Sequence, residues 1–89
     1  MTKREERVEI TGAAKAHPEY DLVPVWFNWQ NKRHEVVEVT AHWRVHTEKR
    51  IEGVEIRRHY WEAMTDGGQR VCICRDLLAG RWYLERVCE

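Results

Sequence analysis

From Val37 to Val45 every odd position is apolar: Val37, Val39, Ala41, Trp43 and Val45. The even positions between them are Glu38, Thr40, His42 and Arg44. A strand sends successive side chains to opposite faces, so this alternation predicts a strand with one dry face and one wet face. A helix would scatter the same residues around its cylinder. The stretch from His34 to His46 is therefore the expected centre of a sheet. Its dry face, Trp43 included, is the expected core, and its wet face carries His42, Arg44 and His46.

The rest of the chain supplies candidate partners for this strand. Residues 7–10 alternate and carry charge, which predicts an edge strand ended by Thr11 and Gly12. Residues 13–20 read as a connection. Residues 22–30 form a second strand, with Val23, Val25, Phe27 and Trp29 on the core face. Pro24 cannot donate to a ladder, so that strand lies at an edge or starts near Val25. Residues 30–33 read as a tight hairpin turn, since Asn31 tolerates a left-handed backbone. Residues 47–53 are expected to form a loop, and residues 54–64 a fourth strand. Thr65-Asp66-Gly67-Gly68 is a strong hairpin turn, because Asp-Gly and Gly-Gly supply positive φ. Strands over 69–76 and 81–88 follow, joined by Leu77-Leu78-Ala79-Gly80, which has room for one helical turn. The predicted fold is all-β: an antiparallel meander of five or six strands curled into a small open barrel. It forms one domain over residues 1–89, with residues 1–6 a candidate for disorder.

At 89 residues the core is small, and five tryptophans must supply much of the buried area. Fifteen basic and fifteen acidic residues cancel, with five histidines left neutral. Sequence-independent nucleic-acid binding draws its affinity from an excess of positive charge, which is missing here overall. No apolar run approaches the length of a membrane span, and the charged start lacks an apolar signal core. Three cysteines do not form a disulfide framework and fit a reducing compartment, so the cytoplasm is expected and no membrane is.

Several spaced signals recur together: Phe27-x-Trp29, His34-x-Val36, Val39-x-x-x-Trp43, Arg58-x-Tyr60-Trp61, the Gly67-Gly68 turn, Arg75-Asp76, and Gly80-x-Trp82-x-Leu84-x-Arg86-Val87. In this order, over residues 23–89, the chain resembles a family of small uncharacterised bacterial β-rich proteins, a domain of unknown function. Similar segments stand at the C-terminal end of some Y-family-polymerase-like mutagenesis accessory proteins. His34 departs from the pattern, since that position is commonly aromatic. The resemblance implies a β-rich fold and, for the fused members, an indirect link to DNA damage tolerance. It implies no catalytic residues.

Three groups of residues have chemistry to weigh. Cys72 and Cys74 share one face of a strand, roughly 6.5–7 Å apart at the Cα atoms by the strand rise. That is at or past the limit for a disulfide. A metal could bridge them with His42, His46 or His59, yet the spacing is not the usual zinc spacing. Small packed side chains are the simpler reading, and no metal or other cofactor is expected. His42, Arg44 and His46 with Arg57, His59 and Trp61 would make a basic, aromatic strip of the kind that binds single-stranded nucleic acid. A solvated face is the simpler reading, with Glu38, Glu55 and Glu62 nearby. Trp26 and Trp61 are expected to face outward, either under a second minor core or as an exposed patch for a protein partner or homodimer.

The chain has no serine, no glycine-rich phosphate loop and no paired-histidine helix motif. A non-enzymatic binding domain is thus expected, with a protein partner favoured over nucleic acid on charge balance. A nucleic-acid-binding accessory module linked to DNA repair is the alternative. A small-molecule pocket at the barrel mouth, between Trp26 and Trp82, ranks third.

Overall fold

Strand-forming residues and tight turns alternate along the whole chain, and the result is a ring of six antiparallel strands. A computed structural model describes residues 7–19, 21–49 and 54–88. The strands are β1 (Val8–His17), β2 (Asp21–Trp29), β3 (Lys32–Lys49), β4 (Val54–Thr65), β5 (Arg70–Asp76) and β6 (Arg81–Cys88). Each pairs with its sequence neighbour, and β1 pairs with β6 to close the barrel. No helix is present among the described residues; residues 77–80 are a plain turn. The expected openness of the barrel is thereby corrected: β1 supplies the closing contact. The expectations for residues 1–6 and 50–53 lie outside the described residues.

The ring has two corners. At the first, β1 changes partner. Val8 to Ile10 pair with Leu84 to Trp82, and from Thr11 onward the strand pairs with β2. The strand does not stop at Thr11 and Gly12 as expected, nor is it an edge, and residues 13–17 are strand rather than connection. Gly12 sits just past this corner. A Cβ there would run into the carbonyl oxygen of Trp26 and stand 3.1 Å from the Phe27 Cα. Only a residue without a side chain lets β1 lie this close to β2.

The second corner is in β3. Lys32 to Glu35 pair with β2 through a two-residue turn in which Gln30 (φ 55°) and Asn31 (φ 59°) are both left-handed. This is the type I′ geometry that matches strand twist. From Val36 onward β3 pairs with β4 instead. The corner is tied down by Asp66, whose N–H donates to the Glu35 carbonyl at 2.9 Å. Pro24 lies on the part of β2 that has only β1 beside it, so its missing N–H costs no ladder bond.

Two bulges follow the second corner, between Val36 and Glu38 and between Val39 and Ala41. Each inserts a residue and reverses which side chains point inward. Val36 and Val39 therefore both pack against the core. Beyond Thr40 the inward set becomes even-numbered, because His42 stands opposite fully buried Trp61 and Arg44 opposite buried His59. The expected dry face is thus broken: Val37 is 63% exposed and Trp43 39% exposed. The same reversal corrects the expectation that Trp61 faces outward.

The core consists of Ile10, Phe27, Ala63, Val71, Ile73 and Leu84, with Trp29, Val36, Val39, Trp82 and Val87 packed against it. Full burial of a side chain such as Phe27 or Ile73 contributes roughly 1.5–3 kcal/mol. His34 is buried and stacks on Phe27 at 5.1 Å with rings 15° apart. Its Nε2 also lies 3.3 Å from the Trp29 carbonyl oxygen.

Candidate functional site

Inward-facing residues divide the barrel into an apolar end and an aromatic, basic end. At the second end the register aligns His42 with Trp61, Arg44 with His59, and His46 with Arg57. The six residues read from the sequence as one strip therefore do share a face; His42, His59 and Trp61 turn into the barrel, while Arg44, His46 and Arg57 lie at its exposed rim. His42 Nδ1 lies 3.2 Å from His59 Nε2. One ring donates and the other accepts, so the pair requires at least one neutral imidazole. His59 stacks on Trp61 with centroids 3.9 Å apart, and Trp61 stacks on Trp82 at 5.2 Å. The indole N–H of Trp61 donates to the Leu22 carbonyl at 2.9 Å, which joins β4 to β2 across the interior. This ladder of rings is a structural prop more than a surface, since Trp61 and His59 are both buried.

Burial pushes the His59 pKa down to about 4, and the charges of Arg44 and His42 push the same way, with Asp21 opposing. The unfolded chain binds this proton below about pH 6.5, and the folded chain resists it until about pH 4. Stability from a neutral His59 is therefore complete above pH 6.5 and is lost as pH falls toward 4. The size is on the order of 3 kcal/mol. Urea midpoints should fall steadily from pH 7 to pH 4.5. In His59→Phe, which cannot be protonated, the fall should flatten; an unchanged slope would assign the acid sensitivity to other groups.

Toward the rim the strip becomes exposed and paired. Arg44 Nη2 donates to Asp21 Oδ2 at 3.2 Å. Arg57 and His46 share the Glu55 carboxylate at 2.7 and 3.2 Å. Such exposed pairs add little stability, and they satisfy the charges a phosphate would otherwise meet. Trp26 lies on β2 beneath the Arg33 guanidinium, 4.2 Å from its ring centre, and Arg33 is held by Glu35 at 2.8 Å. The structure does not bring Trp26 to the His42–Trp61 strip.

Cys72 and Cys74 lie on the outward side of β5, opposite Glu62 and Tyr60 of β4. Both are buried and free. Burial pushes both thiols up to about 11. Thiols so protonated are poor nucleophiles and poor metal ligands. The buried histidines point to the opposite face of the sheet, so no Cys–His dyad forms. Among the described residues no group of three or more His, Cys, Asp or Glu side chains could hold a metal ion.

The outward face holds a feature the alternation in β3 concealed. Trp43, Tyr60, Cys74 and Tyr83 stand in register across β3, β4, β5 and β6. Trp43 stacks on Tyr60 at 5.4 Å with rings 2° apart. Arg7 lies 4.8 Å over the Tyr83 ring and donates to Glu85 at 2.7 Å. Arg58 Nη1 lies 3.4 Å from the Tyr60 hydroxyl, while its buried Nε has no hydrogen-bond partner among the described residues. The clue available in the sequence was Tyr60 beside Trp61: neighbours in a strand cannot both face inward. Among the described residues no helix is long and apolar enough to cross a membrane. Compared with known proteins, the chain matches no family model, no curated protein and no solved structure.

Proposed function

We propose that the chain is a non-enzymatic binding domain whose partner is a protein, docked on the outward face of β3 to β6. The observation that carries this reading is Trp43. It lies flat on Tyr60 and is still 39% exposed. Tryptophan, tyrosine and arginine dominate the energetics of protein interfaces. Here Trp43, Tyr60, Tyr83, Arg7 and Arg58 gather on one sheet face. The balanced charge of the chain favours a protein over a phosphate backbone. A non-catalytic role is supported by the protonated thiols and by their separation from the histidines. A reducing compartment such as the cytoplasm suits three free cysteines.

A second reading, a nucleic-acid-binding accessory module, draws on the same row. Aromatic rings on a sheet beside arginines also stack single-stranded bases, and the resemblance to mutagenesis accessory segments points that way.

One experiment separates the two. The purified domain and its Trp43→Ala variant are compared in cross-linked affinity capture from cell extract, in sedimentation over a range of concentrations, and in titration with a labelled single-stranded oligonucleotide at low salt. The expected result is one protein, or a second copy of the chain, held by the parent and lost with Trp43→Ala. A hot-spot tryptophan is worth about 2 kcal/mol or more on truncation. Oligonucleotide binding that depends on Trp43 would establish the second reading. Equal behaviour of the two proteins in all three assays would end both.

A further inference from the structure

The barrel has a second mouth, at the end away from the His42–His59 pair. There Phe27 pairs with His34 and Trp29 with Lys32, so all four side chains share the inward face. Phe27 and His34 are buried, and beyond them lies a cleft of about 360 Å³. Small-molecule sites have roughly 300–1,000 Å³ and are common in barrel mouths. Trp29, Lys32, His34, Asp66 and Gln69 line the cleft, with Gln30 and Gly67 from the two flanking turns. His34 is its buried polar group. The Nε2 atom lies 3.3 Å from the Trp29 carbonyl oxygen. A carbonyl only accepts, so Nε2 carries the hydrogen, and Nδ1 of the neutral ring is a bare acceptor. Nδ1 has no hydrogen-bond partner among the described residues. The sealed side-chain atoms without a partner are, among those residues, Arg58 Nε and Arg75 Nε. Nδ1 is therefore open to the cleft. Charges stand on both sides of it. Lys32 is two positions before His34, about 6.5–7 Å away by the strand rise. Asp66 is fixed just past it, because its Oδ1 accepts the Glu35 N–H at 3.3 Å. Neither Lys32 nor Asp66 has an ion pair among the described residues. Two opposite charges that face one opening without pairing leave both for a ligand.

We infer that this mouth binds a small zwitterion, a free α-amino acid with a flat side chain. The ligand's ammonium group donates to the Asp66 carboxylate and to His34 Nδ1. Its carboxylate meets the Lys32 ammonium, and its side chain lies against the Trp29 indole. Hydrogen bonds with an ionised partner are the strong ones. A site built to receive an N–H also rejects the analogue that lacks it. The Trp29 wall adds ring-on-ring contact, which selects a flat side chain over a compact one. This mouth is separate from the outward aromatic row, and its occupancy does not depend on Trp43.

The test titrates three ligands into the isotope-labelled domain and follows its amide resonances. L-phenylalanine carries both charges, phenethylamine only the positive one, and hydrocinnamate only the negative one. Saturable shifts at Lys32, His34, Asp66 and Gln69 are expected, with L-phenylalanine bound about tenfold tighter than either analogue. Lys32→Met, at an exposed position, should weaken L-phenylalanine about tenfold and leave phenethylamine unchanged. His34→Phe keeps a ring against Phe27 and removes Nδ1, and it should weaken both ligands about tenfold. If that variant does not fold, Lys32→Met and the three ligands decide. Trp43→Ala should change nothing here, so the outward docking face and this mouth stand or fall separately. Equal affinity for all three ligands would overturn zwitterion recognition. L-phenylalanine binding indifferent to a folded His34→Phe would overturn the role of Nδ1. No saturable shift up to about 20 mM ligand would overturn the site itself.

Discussion

Replacing Trp61 with alanine is expected to remove about 4 kcal/mol or more of stability, a large share of what a domain of this size holds. Three losses coincide. The side chain is completely buried, so truncation leaves a large cavity. Its stacks with His59 and Trp82 disappear. The Leu22 carbonyl loses the donor that reaches it at 2.9 Å. In a thermal melt followed by circular dichroism, the midpoint should drop by about 20 °C. Trp61→Phe keeps a ring but not the N–H, and about 2 kcal/mol should be lost. If phenylalanine costs nothing, the bond from β4 to β2 contributes no stability and the effect of alanine is packing alone.

Gly12→Ala is expected to cost about 3 kcal/mol, a large effect for one methyl group. The added carbon would press on backbone, the Trp26 carbonyl and the Phe27 Cα, which cannot rotate away as a side chain can. Relief requires β1 to move off β2 at the very corner where it changes partner. Guanidinium midpoints of Gly12→Ala and Gly67→Ala give the contrast. At Gly67 a Cβ would meet only the Thr65 hydroxyl at 3.9 Å. That change should stay within about 0.5 kcal/mol. Similar changes at both positions would show that close approach to β2 does not set the cost at Gly12.

The strands and turns were legible because they depend on local chemistry. The last strand, residues 81–88, has the bounds expected for it, and the turns at Asn31 and Asp66-Gly67-Gly68 stand where their residue types demand. The full length of β1 is not visible in the sequence because Ala13, Ala14 and Ala16 carry no strand preference of their own. They are strand because β2 lies beside them. The faces of β3 escape the sequence for a sharper reason. Perfect alternation from Val37 to Val45 holds in the sequence, but Val37 and Thr40 are extra residues in the ladder. A bulge leaves no mark in hydrophobic periodicity, yet it turns over every side chain after it. One shift therefore turned His42 inward, left Arg44 on the same face at the rim, and put Trp43 outside. The clustering of His42, Arg44, His46, Arg57, His59 and Trp61 on one face was visible in the sequence. Which way that face points was not, because it depends on the two bulges and on where β2 leaves β3.

The contact that closes the ring is its shortest seam: three residue pairs, Val8 with Leu84 through Ile10 with Trp82. The β3–β4 ladder has twelve. A ring breathes where it is least fastened, because local opening costs only the bonds it breaks. This fastening also joins strands from opposite ends of the described chain, so it carries the largest loop-closure cost and should form last. During synthesis the hairpins from β2 to β5 can assemble while β1 still waits for β6 to leave the ribosome. Such a seam should be the last to form and the first to open, so a gain in kinetic lifetime is to be sought at Val8, Ile10, Trp82 and Leu84.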